Sequence, residues 1–228
     1  MNSQKKQEKE DAIIDAAESV FRSVGFKNAK MDDIAKVAGI TKVTLYSYFQ
    51  SKENLYLSIT WRAVNLLTKS FNDIVERNKF KPKLEVVLSL VESFMDFCSH
   101  NFLYSEALLD YFEMNRSSDS GKDTSKLTEA VLQSTYYKRI QQIQNLPFKI
   151  ISSEVAKGQE EGSILMTIDP MLYTLHAWTA SLGYIKVINS TGSPTIFNID
   201  FSKLKQMNLK LAEQILLGKI DLGESNVC

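Results

Sequence analysis

From Ile13 onward the apolar positions recur at helical spacing. Ile13, Ala16, Ala17, Val20, Phe21 and Val24 fall at steps of three and one, the stripe of an amphipathic helix from about Lys9 to Val24. Gly25 ends it. A second short helix is predicted from Met31 to Ala38 and a third from Lys42 to Tyr48, with Thr41 as its N-cap. Ser51 caps a long fourth helix, with Glu53 in its first turn and Leu55, Ile59, Ala63, Leu66, Leu67, Phe71 and Ile74 along one side. Beyond Asn78 the period stays helical. Pro82 starts one helix, residues 103–114 form another, and Pro147 kinks or splits a long region that Gly162 stops. Asp169-Pro170 opens a helix to about Ile188, and the last runs from Phe201 to Leu217, ended by Gly218. The polar run 116–125 and the turn-rich run 189–198 are read as loops, and no set of strands stands out. The expectation is an all-α chain of about nine helices. A three-helix helix-turn-helix head at 1–54 is joined to a larger helical body for ligand binding and dimerisation at 55–228.

The head carries the chemistry. Ala35 is small where two helices cross, Gly39 sits at a turn that needs a positive φ, and Ile34, Ile40 and Leu45 supply the apolar faces. That spacing places the third helix on the surface, N-terminus first, as an element able to enter a DNA major groove. Lys42, Val43 and Thr44 then lie nearest to base edges: Lys42 on guanine or phosphate, Val43 on a thymine methyl, Thr44 in either kind of contact.

The run Ile34-Ala35-x-x-Ala38-Gly39-Ile40-Thr41-Lys42-x-Thr44-Leu45-Tyr46-x-Tyr48-Phe49-x-Ser51-Lys52-Glu53-x-Leu55 resembles the signature of the TetR family of bacterial transcriptional regulators. Ala16-Ala17-x-x-Val20-Phe21-x-x-x-Gly25-Phe26 is similar to that family's first helix. The resemblance implies phosphate contacts from Tyr46, Tyr48 and Lys52; Lys30, which flanks the groove-facing element, and Thr41 complete the expected DNA-contacting set. Two positions depart from the pattern. Ala29 stands where the family often has a Thr that caps the second helix, and Val43 where a Gly is common. The first removes a backbone contact; the second alters the surface shown to bases.

Charge changes this picture in one respect. The 228-residue chain is formally neutral, and its first 54 residues hold nine Lys/Arg against eight Asp/Glu. Placement, not bulk charge, must therefore supply phosphate binding, and a dimer doubles each contact. No apolar run reaches the ~18–20 residues of a membrane span. The N-terminus is charged without an apolar segment behind it, and Cys98 and Cys228 fit a reducing compartment. The expected location is cytoplasmic, with no membrane partner.

In the body, Tyr173, His176, Ala180 and Tyr184 recur at helical spacing on the penultimate helix, and Leu204, Met207, Leu211 and Ile215 on the last. The resemblance implies a homodimer through a four-helix interface there, on a pseudo-palindromic double-stranded operator. Aromatic residues crowd 94–114, and Phe94, Phe97, Phe102, Tyr111, Tyr137 and Trp178 are the candidates to line a site for a small apolar or aromatic ligand. Glu106, Asp110 and Glu113 form either a solvated face or a recognition site for a cation.

The function these features favour is a DNA-binding transcriptional regulator, a repressor released by a small-molecule ligand. Alternatives are a similar protein controlled by a partner protein, and a helical binding protein with a degenerate head. Enzymatic activity is not expected: GxGxxG, P-loop, HExxH and GxSxG patterns are absent, and two His with two Cys outline no metal site. No cofactor is expected.

Overall fold

The computed structural model describes residues 3–119, 129–191 and 195–220. The described residues form α1 (Ser3–Asn28), α2 (Met31–Val37), α3 (Lys42–Tyr48), α4 (Lys52–Arg77), α5 (Lys83–His100), α6 (Phe102–Asp119), α7 (Glu129–Leu132), α8 (Thr135–Ile143), α9 (Leu146–Glu161), α10 (Pro170–Thr191) and α11 (Phe201–Leu216). Among the described residues the strands are those of one hairpin, β1 (Thr195–Ile196) and β2 (Ile199–Asp200), paired antiparallel. Sequence periodicity misses a hairpin this short. Its turn holds Phe197 and Asn198 at φ 49° and 62°, the conformation of a tight two-residue loop.

The boundaries follow local chemistry. Gly25, at φ 75°, breaks the direction of α1, which continues for one more turn to Asn28. Thr41 caps α3 by accepting from the Thr44 N–H at 3.1 Å, and Ser51 accepts from the Asn54 N–H at 3.2 Å. Asp169 accepts from the Met171 and Leu172 N–H groups at 2.9 Å each. Pro147 splits the long region: α8 ends before it and α9 takes it into its first turn, where the missing N–H costs nothing. α6 runs on to Asp119, and residues 120–128, most of the expected polar loop, lie outside the described residues, as does Cys228.

Two compact units emerge. One comprises Met1–Asn65 and Leu103–Gln144, the other Leu66–Phe102 and Asn145–Cys228. The boundary anticipated at residues 54 and 55 falls inside the first. In the second unit α5, α9, α10 and α11 pack around Val86, Val87, Leu90, Phe94, Met95, Val155, Tyr173, Ile185 and Leu216. Glu154 is buried there between Lys83, at 3.2 Å, and Lys157.

The turn between α2 and α3 is closed by three backbone bonds: Ala38 N–H to Ile34 C=O, Gly39 N–H to Lys36 C=O and Ile40 N–H to Ala35 C=O, at 2.9, 3.2 and 3.0 Å. The last two form a Schellman motif around Gly39, whose φ is 65°. A Cβ at Gly39 meets nothing within 4 Å, so the cost of a side chain there is conformational. Replacing Gly39 with Ala should therefore lower stability by ~1–2 kcal/mol in a urea titration, and replacing it with Val by more.

Candidate nucleic-acid interface

The outer face of α3 is built on a buried inner one. Leu45 and Phe49 are buried, with Ile34, Ala35 and Met31 of α2 and Ile13, Ala17, Val20 and Phe21 of α1. With its inner side so anchored, α3 leaves Thr41, Lys42, Val43 and Tyr46 exposed and Thr44 and Tyr48 half-buried. Val43 is 82% exposed, an apolar side chain with no packing role in the isolated chain. Thr44 shares its hydroxyl with Thr41 at 2.9 Å, so the two threonines are pre-oriented at the N-terminus of α3. Lys42 pairs with Asp32 of α2 at 2.7 Å, and that hydrogen bond and charge hold its ammonium above the ordinary lysine range. Both partners are largely exposed, so a DNA phosphate can compete for the lysine. Lys30 is exposed and occupies the N-cap position of α2 without a side-chain cap; Ala29 before it is buried.

Lys52 takes a different place from the one the resemblance implies. Its ammonium donates to the carbonyls of Phe26, Lys27 and Ala29 at 2.8, 3.2 and 3.1 Å and lies 4.5 Å from the centroid of the Phe26 ring. Phe26 and Lys27 lie in the last turn of α1 and Ala29 just after it, where helical carbonyls run out of partners and a cation is favoured. Lys52 thus staples α1 to the start of α4.

Sequence reasoning passed over the residues that tie the head to the other helices of its unit. Tyr104 of α6 donates to Glu18 of α1, 3.0 Å from both carboxylate oxygens. Arg62 of α4 bridges Asp15 and Glu18 at 2.6 and 2.9 Å. Tyr136 of α8 donates to Glu10 at 2.6 Å, stacks on Phe49 with 6.0 Å between centroids, and meets Trp61 edge-on. Arg139 covers both Trp61 and Tyr136. Burial first, then the neighbouring carboxylate, pushes the Tyr104 and Tyr136 phenols above their usual value. The signal was present as charged positions on α1 at helical spacing, but their partners lie 44 to 126 residues away.

The ligand candidates fall in both units. Phe94 and Phe97 belong to the core of the second unit, and Trp178 meets Phe148 edge-on at 5.0 Å there. Phe102 is exposed. Tyr111 lines a cavity in the first unit, and Tyr137 is buried 6.1 Å from it. The dimer candidates divide as well. Tyr173, Tyr184 and Ile215 are buried inside the chain and Leu204 is half-buried, while His176, Ala180, Met207 and Leu211 are exposed, together with Leu172, Leu175 and Val187.

Residues 13–59 match the family model described as bacterial regulatory proteins, tetR family. The head is thus similar to the DNA-binding segment of that family. Over 94 residues the chain is 33% identical to the HTH-type transcriptional activator FasR of Mycolicibacterium smegmatis, covering 41% of this chain and 42% of that one. The chain spans about two fifths of the length of the curated relatives it matches. Beyond the head the fold is that of TetR-family structures. A TetR/AcrR family regulator from Thermobifida fusca aligns at TM-score 0.68 and 19% identity, covering 90% of this chain and 97% of the other. FadR from Bacillus subtilis, solved with stearoyl-CoA, aligns at 0.60 and 19% over the same shares.

The buried phenols give the head's anchorage a pH dependence. A phenol whose folded value is raised adds stability below the free value near ~10, and that stability is lost as pH climbs toward the folded value. Tyr136→Phe should melt lower than the parent at neutral pH, through loss of the Glu10 bond. It should also lose less stability than the parent between about pH 9 and 11. Thermal melts at stepped pH read both effects.

Proposed function

We propose that this protein is a sequence-specific DNA-binding transcriptional regulator that acts as a homodimer on a pseudo-palindromic operator. The observation that carries this reading is the outer face of α3. There an apolar valine at 82% exposure is flanked by an exposed lysine and two hydroxyls held at the helix N-terminus. Such a face suits base edges in a major groove, with Val43 on a thymine methyl and Thr44 or Lys42 on polar groups. Tyr46, Tyr48, Thr41 and Lys30 are assigned to phosphates; Lys52 positions the head from behind.

Dimerisation is assigned to the exposed apolar face of α10 and α11. Leu172, Leu175, Ala180 and Val187 with Met207 and Leu211 form that face, and His176 lies on it. Two copies would place two heads for half-sites about one helical turn, ~34 Å, apart. A protein seated on a promoter excludes others from it, so repression relieved by a small-molecule ligand is the mode adopted. The family of the head and the ligand-bound form of the similarly folded FadR support it.

Incubating the protein with a random duplex pool at ~0.15 M salt and sequencing what is retained tests the proposal. A two-fold-symmetric motif is expected; retention without sequence preference would refute it. Within that motif Val43→Ala should shift the preferred base at one position per half-site, whereas Tyr46→Ala should weaken every sequence alike. Met207→Glu with Leu211→Glu should convert the dimer to monomer by sedimentation and cost more than tenfold in affinity, since one head supplies half of the phosphate contacts.

A further inference from the structure

The first unit contains a cavity of about 290 Å³ beside the head. Phe26 from the end of α1, Glu53, Tyr56, Leu57 and Thr60 from α4, Asp110, Tyr111 and Glu113 from α6, and Val131 from α7 line it. We infer that this cavity binds a small organic cation with an aromatic or branched apolar body. The inference deepens the ligand-controlled reading above by naming the site and the ligand's chemistry.

The walls select the body of the ligand. Phe26 and Tyr56 face each other at 4.5 Å between centroids, and Tyr111 is fully buried, so aromatic surface dominates the interior. The volume sits at the lower end of small-molecule pockets, roughly 300–1,000 Å³, and suits a compact ligand.

The rim selects its charge. Glu53, Asp110 and Glu113 are exposed at the edge, and among the described residues that line the cavity there is no lysine or arginine. The Lys52 ammonium is held by the carbonyls of Phe26, Lys27 and Ala29. Tyr56 donates to Asp110 at 2.9 Å and so fixes one carboxylate at the cavity. Burial, followed by the charges of Asp110 and Glu106, drives the Tyr56 phenol far above its usual value. Among the described residues no group of three or more His, Cys, Asp or Glu side chains is placed to hold a metal ion. The rim is therefore too spread for a bare metal, and it repels the phosphates of an acyl-CoA. A diffuse organic cation, solvated weakly and attracted to aromatic faces, matches both the rim and the walls.

The position gives binding a consequence. Phe26 both lines the cavity and supplies one of the carbonyls that Lys52 holds. A ligand that moves the Phe26 ring works directly on the staple between α1 and α4.

Calorimetric titration of the full chain with benzyltrimethylammonium, benzyl alcohol and phenylacetate tests the inference without DNA. The cation should bind saturably, one per chain, the alcohol at least threefold more weakly, and phenylacetate not at all. Glu53→Gln and Glu113→Gln should each weaken the cation roughly threefold to fivefold. Asp110→Asn releases Tyr56 and serves only as a positive control for loss of the site. Equal affinity for cation and alcohol, no response to the two glutamine variants, or no saturation by either benzyltrimethylammonium or tetraethylammonium up to about 1 mM would overturn it. Cation binding by a protein that enriches no DNA motif would leave this site standing and refute the regulatory reading; DNA enrichment without cation binding would do the reverse.

Discussion

The head depends on how the polar edge of α1 is neutralised. That helix places its apolar stripe into the head and is left with Glu10, Asp15 and Glu18 on another side. Each finds a partner on a helix outside the helix-turn-helix: Tyr136 on α8, Arg62 on α4, Tyr104 on α6. Removing the partner of half-buried Glu10 or Glu18 leaves an unmet charge, which costs more than the bond itself contributes, whereas Asp15 is exposed. Lys52 does the same service at the end of α1 by satisfying three carbonyls. The outer face of α3 is thereby tied to helices beyond residue 54. It is one face of a unit that also contains α6, α7, α8 and the first half of α4.

The cavity is lined by helices that also hold the head. Under the proposed function, a molecule bound there would act on the anchorage of α1. A coupling of ~1–3 kcal/mol suffices to change operator occupancy tenfold or more. In a dimer a small reorientation of each head is felt twice, because both half-sites must be engaged together.

Much of the fold was legible because its signals are local. Gly39, Thr41, Ser51, Pro147, Asp169, Gly162 and Gly218 each mark a helix boundary by backbone chemistry that needs no distant partner, and the structure uses all seven. The site was less legible because its chemistry is long-range. A lysine at the start of α4 reads the same whether it meets a phosphate or carbonyls 23 to 26 residues earlier. α10 is apolar on nearly every side, so its sequence does not separate Tyr173 and Tyr184, which are core, from Leu172 and Leu175, which are exposed. The aromatic crowd at 94–114 read as one wall, yet Phe94 and Tyr111 belong to different units. Tyr111, together with Asp110 and Glu113 from the trio read as a cation site or a solvated face, pointed toward the cavity.

The central claim is that the head and its neighbours form one cooperative unit. Native-state hydrogen exchange on the free chain tests it most directly, by reading opening free energies peptide by peptide. The account predicts that α1 to α3, the 52–65 segment, the start of α6 and α8 open together, within ~1 kcal/mol of one another. A head at 1–54 that opens well below α6 and α8, as an independent domain, would contradict it.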